Sequence, residues 1–186
     1  RVGPPRTERV ATAPAGQKLT DSIVVQAQDL NGNGVAGENI GWTVVTGGGT
    51  LSAASSVTNA QGKAFVFWTL GTTAGPNAVK ALRVGVPEVQ FTATGNASQA
   101  THIVGNSSLT LTGTAGLIVT PAPSVRVLDA NNNGVQGVTV TFTVTLGGGT
   151  VSDGTSNSTT VTVATNPTGV ATLTSWTLGP VAGTNN

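Results

Sequence analysis

The chain has 186 residues, of which 8 % are charged, with eight Lys and Arg against seven Asp and Glu for a net charge of +1. So little charge excludes the basic face of a nucleic-acid binder and the highly charged composition of a disordered tail. Cysteine and methionine are absent, which excludes a disulfide framework and a thiolate metal site, and the longest apolar runs fall far short of the roughly 18 residues of a membrane span.

Thr, Val and Gly supply much of the rest. β-branched residues pack well on a pleated surface and lose side-chain freedom in helices, and no long stretch carries helical apolar periodicity, so the expectation is all-β. Residues 1–18 form an extended segment with Pro4, Pro5 and Pro14, residues that belong at sheet edges. Residues 19–29 read as a strand whose Ile23, Val25 and Ala27 share one face. Asn31, Gly32, Asn33 and Gly34 predict a tight hairpin turn. Ile40, Trp42 and Val44 point inward on the next strand, which Gly47, Gly48 and Gly49 end. Another turn at residues 59–62 leads into a strand over 63–70, then a loop over 71–77, then strands over 78–84 and 88–94.

The whole pattern returns one hundred residues later. Asp29, Asn31, Asn33, Gly34, Val35 and Gly37 reappear as Asp129, Asn131, Asn133, Gly134, Val135 and Gly137, and Gly147 to Thr150 repeat Gly47 to Thr50. Val125 and Val127 precede the second turn, and Val140, Phe142 and Val144 follow it. A longer loop or hairpin is expected around Asp153 to Thr160, and Trp176, Thr177, Leu178 and Gly179 repeat Trp68 to Gly71. Short strands punctuated this often imply a β-sandwich per copy. Trp42, Trp68, Phe142 and Trp176 are the largest core candidates. The expected division is an extended segment 1–18, a first domain 19–95, a linker 96–102 and a second domain 103–186.

This order of motifs resembles the bacterial immunoglobulin-like domain, group 1, of the invasin/intimin type, twice over across residues 19–186. The resemblance implies tandem immunoglobulin-like sandwiches on a bacterial surface or secreted protein, as a stalk or adhesive module. It brings no catalytic residues.

Laying one copy on the other exposes a difference. The first copy runs on past Asn77 through two further strands, whereas Asn186 is the equivalent of Ala78. The second sandwich is therefore expected to lack its last strand in cis, leaving an apolar cleft and an unpaired edge. Residues 1–12 align with residues 83–94: Arg1, Val2, Gly3, Pro5, Ala11 and Thr12 match Arg83, Val84, Gly85, Pro87, Ala93 and Thr94. Two readings follow. Residues 1–12 of one subunit complete the second domain of a neighbour, a donor-strand exchange that builds a head-to-tail filament, or the chain is a window of a longer repeat array. In the first, Val2, Pro5, Val10, Thr12, Trp176, Leu178 and Val181 are the expected subunit interface.

Chemical candidates are few. Asp29, Asn31 and Asn33, like Asp129, Asn131 and Asn133, match the opening of an EF-hand loop. The twelfth position, which should be a bidentate Glu, is Ile40 or Val140, so a turn is favoured over calcium. His102 is the single histidine and reads as a linker residue. No carboxylate pair suggests a glycosidase. An isopeptide bond from Lys18, Lys63 or Lys80 to an Asn is the weaker alternative to plain surface lysines. Gly47 to Gly49 precede no helix and so make no phosphate cradle. Asn96, Asn106 and Asn157 open sequons that a Ser/Thr-rich chain yields by chance. The expectation is a non-enzymatic extracellular structural protein without cofactor, its partners other copies of itself or neighbouring repeats. The alternative to the filament is a monomeric adhesin stalk; no receptor can be read from the residues.

Overall fold

The computed structural model describes Val2, Gly3 and residues 11–186, and separates them into two compact units, the first ending at Asn96 and the second starting at Ala97. The first contains β1 (Val2–Gly3), β2 (Ala11–Pro14), β3 (Ile23–Ala27), β4 (Asn39–Thr46), β5 (Thr50–Leu51), β6 (Ser55–Val57), β7 (Lys63–Val66), β8 (Trp68–Thr69), β9 (Gly75–Leu82) and β10 (Val89–Asn96). One sheet has the order β1-β3-β7, the other β2-β10-β9-β4-β6, and β5 pairs with β8. Splitting successive strands between two facing sheets in this way is immunoglobulin-like topology. Alternation decides what is buried: Val25, Ile40, Val66, Trp68 and Val79 are each at most 1 % exposed and lie in one cluster with Trp42, Leu70 and Ala93.

The second unit contains β11 (His102–Gly105), β12 (Ser124–Leu128), β13 (Thr139–Thr143), β14 (Thr150–Ser152), β15 (Asn157–Ser158), β16 (Thr160–Ala164), β17 (Val170–Thr172) and β18 (Ser175–Thr177). Its sheets are β11-β12-β17, β13-β16 and β15-β14-β18. The longer stretch around Asp153 is the β14–β15 hairpin, with Val151 opposite Ser158. Its apolar interior falls into two smaller clusters, around Val127, Val140 and Ala171 and around Val151, Val161 and Leu173.

The duplication extends to individual hydrogen bonds. Gly16 N–H donates to the Gly71 carbonyl and Gly116 to that of Gly179; Leu19 donates to Trp68 and Val119 to Trp176. Glu38 N–H donates to Thr58 Oγ1 and Val138 N–H to Thr165 Oγ1, and each hydroxyl donates onward to the carbonyl of Val35 or Val135. Glycine is required where these segments cross: a Cβ on Gly71 would strike the Gly47 carbonyl oxygen, and one on Gly179 that of Gly147.

Three expectations need correction. The turn at Asn31 does fold the chain back, with Gln28 opposite Gly34, but the returning arm is too short to be a strand. β4 joins the other sheet, and Gly34 lies so tightly under the Gln61 carbonyl that no side chain fits there. The single strand expected over 63–70 is split into β7 and β8, which lie in different sheets; at the break the Phe67 N–H is taken by Ser52 Oγ at 3.1 Å. The expected linker is bound into the second unit: Ser98 bonds to Asp129, Thr101 N–H donates to the Leu128 carbonyl at 2.8 Å, and His102 begins β11.

Candidate functional site

Both Asp-x-Asn-x-Asn-Gly motifs close turns with their own carboxylates. Asp29 Oδ1 accepts the N–H groups of Asn31 and Asn33 at 2.8 and 2.9 Å, and Oδ2 accepts Asn33 Nδ2 at 3.0 Å. A short side chain that satisfies backbone donors two and four residues on is how Asp favours turns. The Asn33 bonds, side chain first, hold the Asp29 carboxyl below its ordinary value. Asp129 repeats these bonds to Asn131 and Asn133 and adds two from Ser98, whose N–H and Oγ lie 2.9 and 3.2 Å from Oδ2. Asp129 is fully buried. Burial pushes its carboxyl up, but the donors from Ser98, Asn133 and Asn131 outweigh that and bring it from 3.8 to about 2. Oxygens committed to N–H donors are poor cation ligands, and among the described residues no three His, Asp or Glu side chains gather to hold a metal. His102 bonds through Nε2 to Asn132 Oδ1 at 3.2 Å and through Nδ1 to Thr101 Oγ1 at 3.0 Å, which ties β11 to the same turn.

The feature without a counterpart in the first unit is the outer edge of β13. Its equivalent, β4, is paired on both sides, with β6 through Asn39 to Gly41 and with β9 through Gly41 to Thr46. Among the described residues β13 pairs with β16 alone. Just beyond it, Asn186 N–H donates to the Leu146 carbonyl at 3.1 Å, and the Asn186 carbonyl accepts the Thr145 and Leu146 N–H groups at 2.5 and 3.0 Å. Asn185 has the role of Asn77, its Oδ1 accepting the Gly179 N–H at 2.8 Å as Asn77 Oδ1 accepts that of Gly71 at 2.9 Å.

Two clefts open beside this edge. One of about 390 Å³ lies between Ala100 to Ile103 and Val138 to Thr141. The other, about 140 Å³, is lined by Phe142, Val144, Val151, Leu173, Trp176 and Asn186 among others. Both linings are largely apolar side chains and Thr, with His102 the one ionisable group. They accommodate apolar side chains and a backbone rather than chemistry on a substrate.

The expected interface residues scatter. Trp176 lines the smaller cleft and is half-buried, as is Leu178, whereas their equivalents Trp68 and Leu70 are 1 % and 2 % exposed. Val181 is 74 % exposed. Thr12 faces outward on β2, which runs parallel to β10 with Thr12 opposite Thr94; Val2 pairs with Ala27. Pro5 and Val10 lie outside the described residues. The repeat aligns Asn185 with Asn77 at the end of the Gly71 loop, whereas no repeat marks Ser98.

No family model matches the chain, and no curated protein does. Among solved structures it is similar to the D0-D1 domain of intimin at 24 % identity and a TM-score of 0.40, covering 95 % of this chain and 84 % of that one. It is similar to the Escherichia coli adhesin FdeC at 20 % identity and a TM-score of 0.49, covering 98 % of this chain and 56 % of that one. Invasin, a bacterial integrin-binding protein, is similar at 14 % identity and a TM-score of 0.44, over 100 % of this chain and 35 % of the other.

Proposed function

We propose that the chain is a non-enzymatic, extracellular segment of a bacterial surface adhesin, in which tandem immunoglobulin-like sandwiches act as a stalk. The observation that carries this is the bond-for-bond duplication. Gly-rich loops, Asp-capped turns and Thr hydroxyls, the places where a binding module diversifies, serve here to close each sandwich in the same way twice. The motif resemblance to the invasin/intimin type supports the bacterial surface as location. The test is replacement within the full adhesin: an unrelated pair of sandwiches of equal length should preserve binding by the distal tip, and deletion of one unit should weaken it. Loss of binding with the equal-length replacement would show that this segment itself carries the receptor contact.

Two finer readings belong here. The second unit repeats the first as far as it is described: β13, Asn185 and Asn186 are set as β4, Asn77 and Ala78 are, with Trp176 and Leu178 less buried than Trp68 and Leu70. The filament reading needs residues 1–12 as donor, but Val2–Gly3 pair with β3 and Ala11–Pro14 with β10 of their own unit. A segment already held by its own sheets must be stripped from them before donation. Neighbouring repeats in one longer chain are therefore favoured over a homopolymer.

A further inference from the structure

The duplication is also an internal control, because a side chain that one unit does without is not required by the fold. β3 and β7 pair with Val24 opposite Phe65 and Gln26 opposite Lys63, and β12 and β17 repeat that register with Ser124 opposite Thr172 and Arg126 opposite Val170. Lys18 bridges to Thr69 as Ile118 does to Thr177, and Phe67 and Thr174 each bond through the backbone to the matching serine, Ser52 or Ser152. The first unit thus carries Lys18, Lys63, Phe65 and Phe67 where the second carries Ile118, Val170, Thr172 and Thr174. Alternation along residues 63–68 turns Lys63, Phe65 and Phe67 outward between buried Ala64, Val66 and Trp68. Phe65 is 54 % and Phe67 37 % exposed. The two rings meet edge to face with centroids 6.1 Å apart, and Lys18 Nζ lies 3.9 Å from the Phe67 centroid. Neither lysine has a carboxylate partner: among the described residues the ion pairs are Lys80 with Glu88 and Arg83 with Glu38. Threonine serves the fold at both ring positions, so the rings and the two free cations answer another requirement.

We propose that Lys63, Phe65, Phe67 and Lys18 form a binding site for an anionic polysaccharide. The rings take the C–H faces of sugars. The two ammonium groups, at either end of a stripe on the order of 13 Å along the strand, take carboxylates or sulfates. Lys18 already holds Phe67 by a cation–π contact, which lowers the ordering cost of binding. The geometry favours a sugar over a peptide. β7 is the end strand of its sheet, but Asn59 occupies the N–H and carbonyl of Lys63, and Ser52 those of Phe67. An added peptide strand finds no continuous ladder there, and one laid across the rings would bury its own backbone groups unpaired. A pyranose offers a C–H face to a phenyl ring and keeps its hydroxyls in water. The site adds a function to the stalk and does not depend on the stalk reading.

The test titrates the full chain with oligosaccharides of hyaluronan (carboxylated), heparin (sulfated) and dextran (neutral), followed by calorimetry and by NMR of the 63–67 amides. The expected result is saturable binding of hyaluronan or heparin with shifts of those amides, and none of dextran; preference between the two assigns carboxylate or sulfate. Phe65→Thr with Phe67→Thr should weaken binding about tenfold or more, and Lys63→Gln or Lys18→Gln about two- to fivefold each. The paired threonines reproduce the second unit, so the melting transition should stay in place, and Lys63→Gln repeats the test at an exposed side chain without touching a ring. Binding of neither acidic sugar would overturn the proposal. So would binding undiminished by the paired threonines, which charge alone would explain, or a poly-glutamate peptide that binds as tightly and responds to the same variants, since the site would then belong to an acidic protein.

Discussion

Asp129→Asn isolates the most unusual electrostatic feature of the molecule. The substitution keeps shape and removes charge. Oδ1 still accepts from Asn131 and Asn133, but the new amide presents N–H groups to the Asn133 side chain and the Ser98 N–H, which are themselves donors. A pKa unit is worth about 1.4 kcal/mol, so a fall from 3.8 to about 2 contributes about 2.5 kcal/mol at neutral pH. The folded pKa is the depressed one, so this stability is complete well above the unfolded value of 3.8 and is lost as acid protonates the folded carboxylate near 2. The second unit of Asp129→Asn should therefore be less stable than wild type by about 2.5 kcal/mol at pH 7, and the deficit should shrink to roughly half by pH 3. Urea titration followed by NMR on the Trp176 indole reads this unit separately. A deficit under about 0.5 kcal/mol at pH 7, which is within the range of ordinary surface substitutions, would refute the assignment. A deficit that does not shrink with acid would also refute it.

Other outcomes follow from the comparison of the two units. Asp29→Asn, in the equivalent turn of the first unit but exposed and without a Ser98 partner, should cost clearly less than Asp129→Asn in a titration read on the Trp68 indole. Trp68→Ala should destabilise the first unit by about 4 kcal/mol, and Trp176→Ala the second by about half as much, because the latter side chain is only partly buried; unit-resolved thermal melts check the ratio. Gly179→Ala drives a Cβ onto the Gly147 carbonyl and should cost about 2–3 kcal/mol, with Gly71→Ala behaving alike in the first unit. Millimolar calcium should leave both melting transitions unmoved, as should a chelator, because the carboxylates of Asp29 and Asp129 already bond to amide donors; a rise with calcium would restore the metal reading.

Period-2 alternation is a local signal, and it located the inward faces well. Val25, Ile40 and Trp42 lie in the first core and Ile23 and Val44 against it, and Ala27 is buried as well. Sheet membership is not local. Residues 63–70 divide between two sheets at Phe67, whose N–H bonds to a serine hydroxyl fifteen residues earlier in the chain. The ties of the second unit were hidden for the same reason. Ser98 looks like linker in a run of small polar residues, and its value comes from Asp129, thirty-one positions on. The pairing of the turns was legible because a duplicated sequence contains its own reference: the bonds of Asp29 to Asn31 and Asn33 recur at Asp129.

The composition of β13 has a consequence for handling the protein. Residues 138–146 read Val-Thr-Val-Thr-Phe-Thr-Val-Thr-Leu, without a charge, a proline or a glycine. That is the composition of segments that stack into cross-β fibrils, and among the described residues β13 pairs with β16 alone. The equivalent stretch of the first unit is interrupted by Glu38 and Gly41 and lies between two paired strands. Aggregation of this chain at high concentration should therefore start from the second unit, and a single lysine in place of Thr141, which faces outward, is the gatekeeper that would delay it.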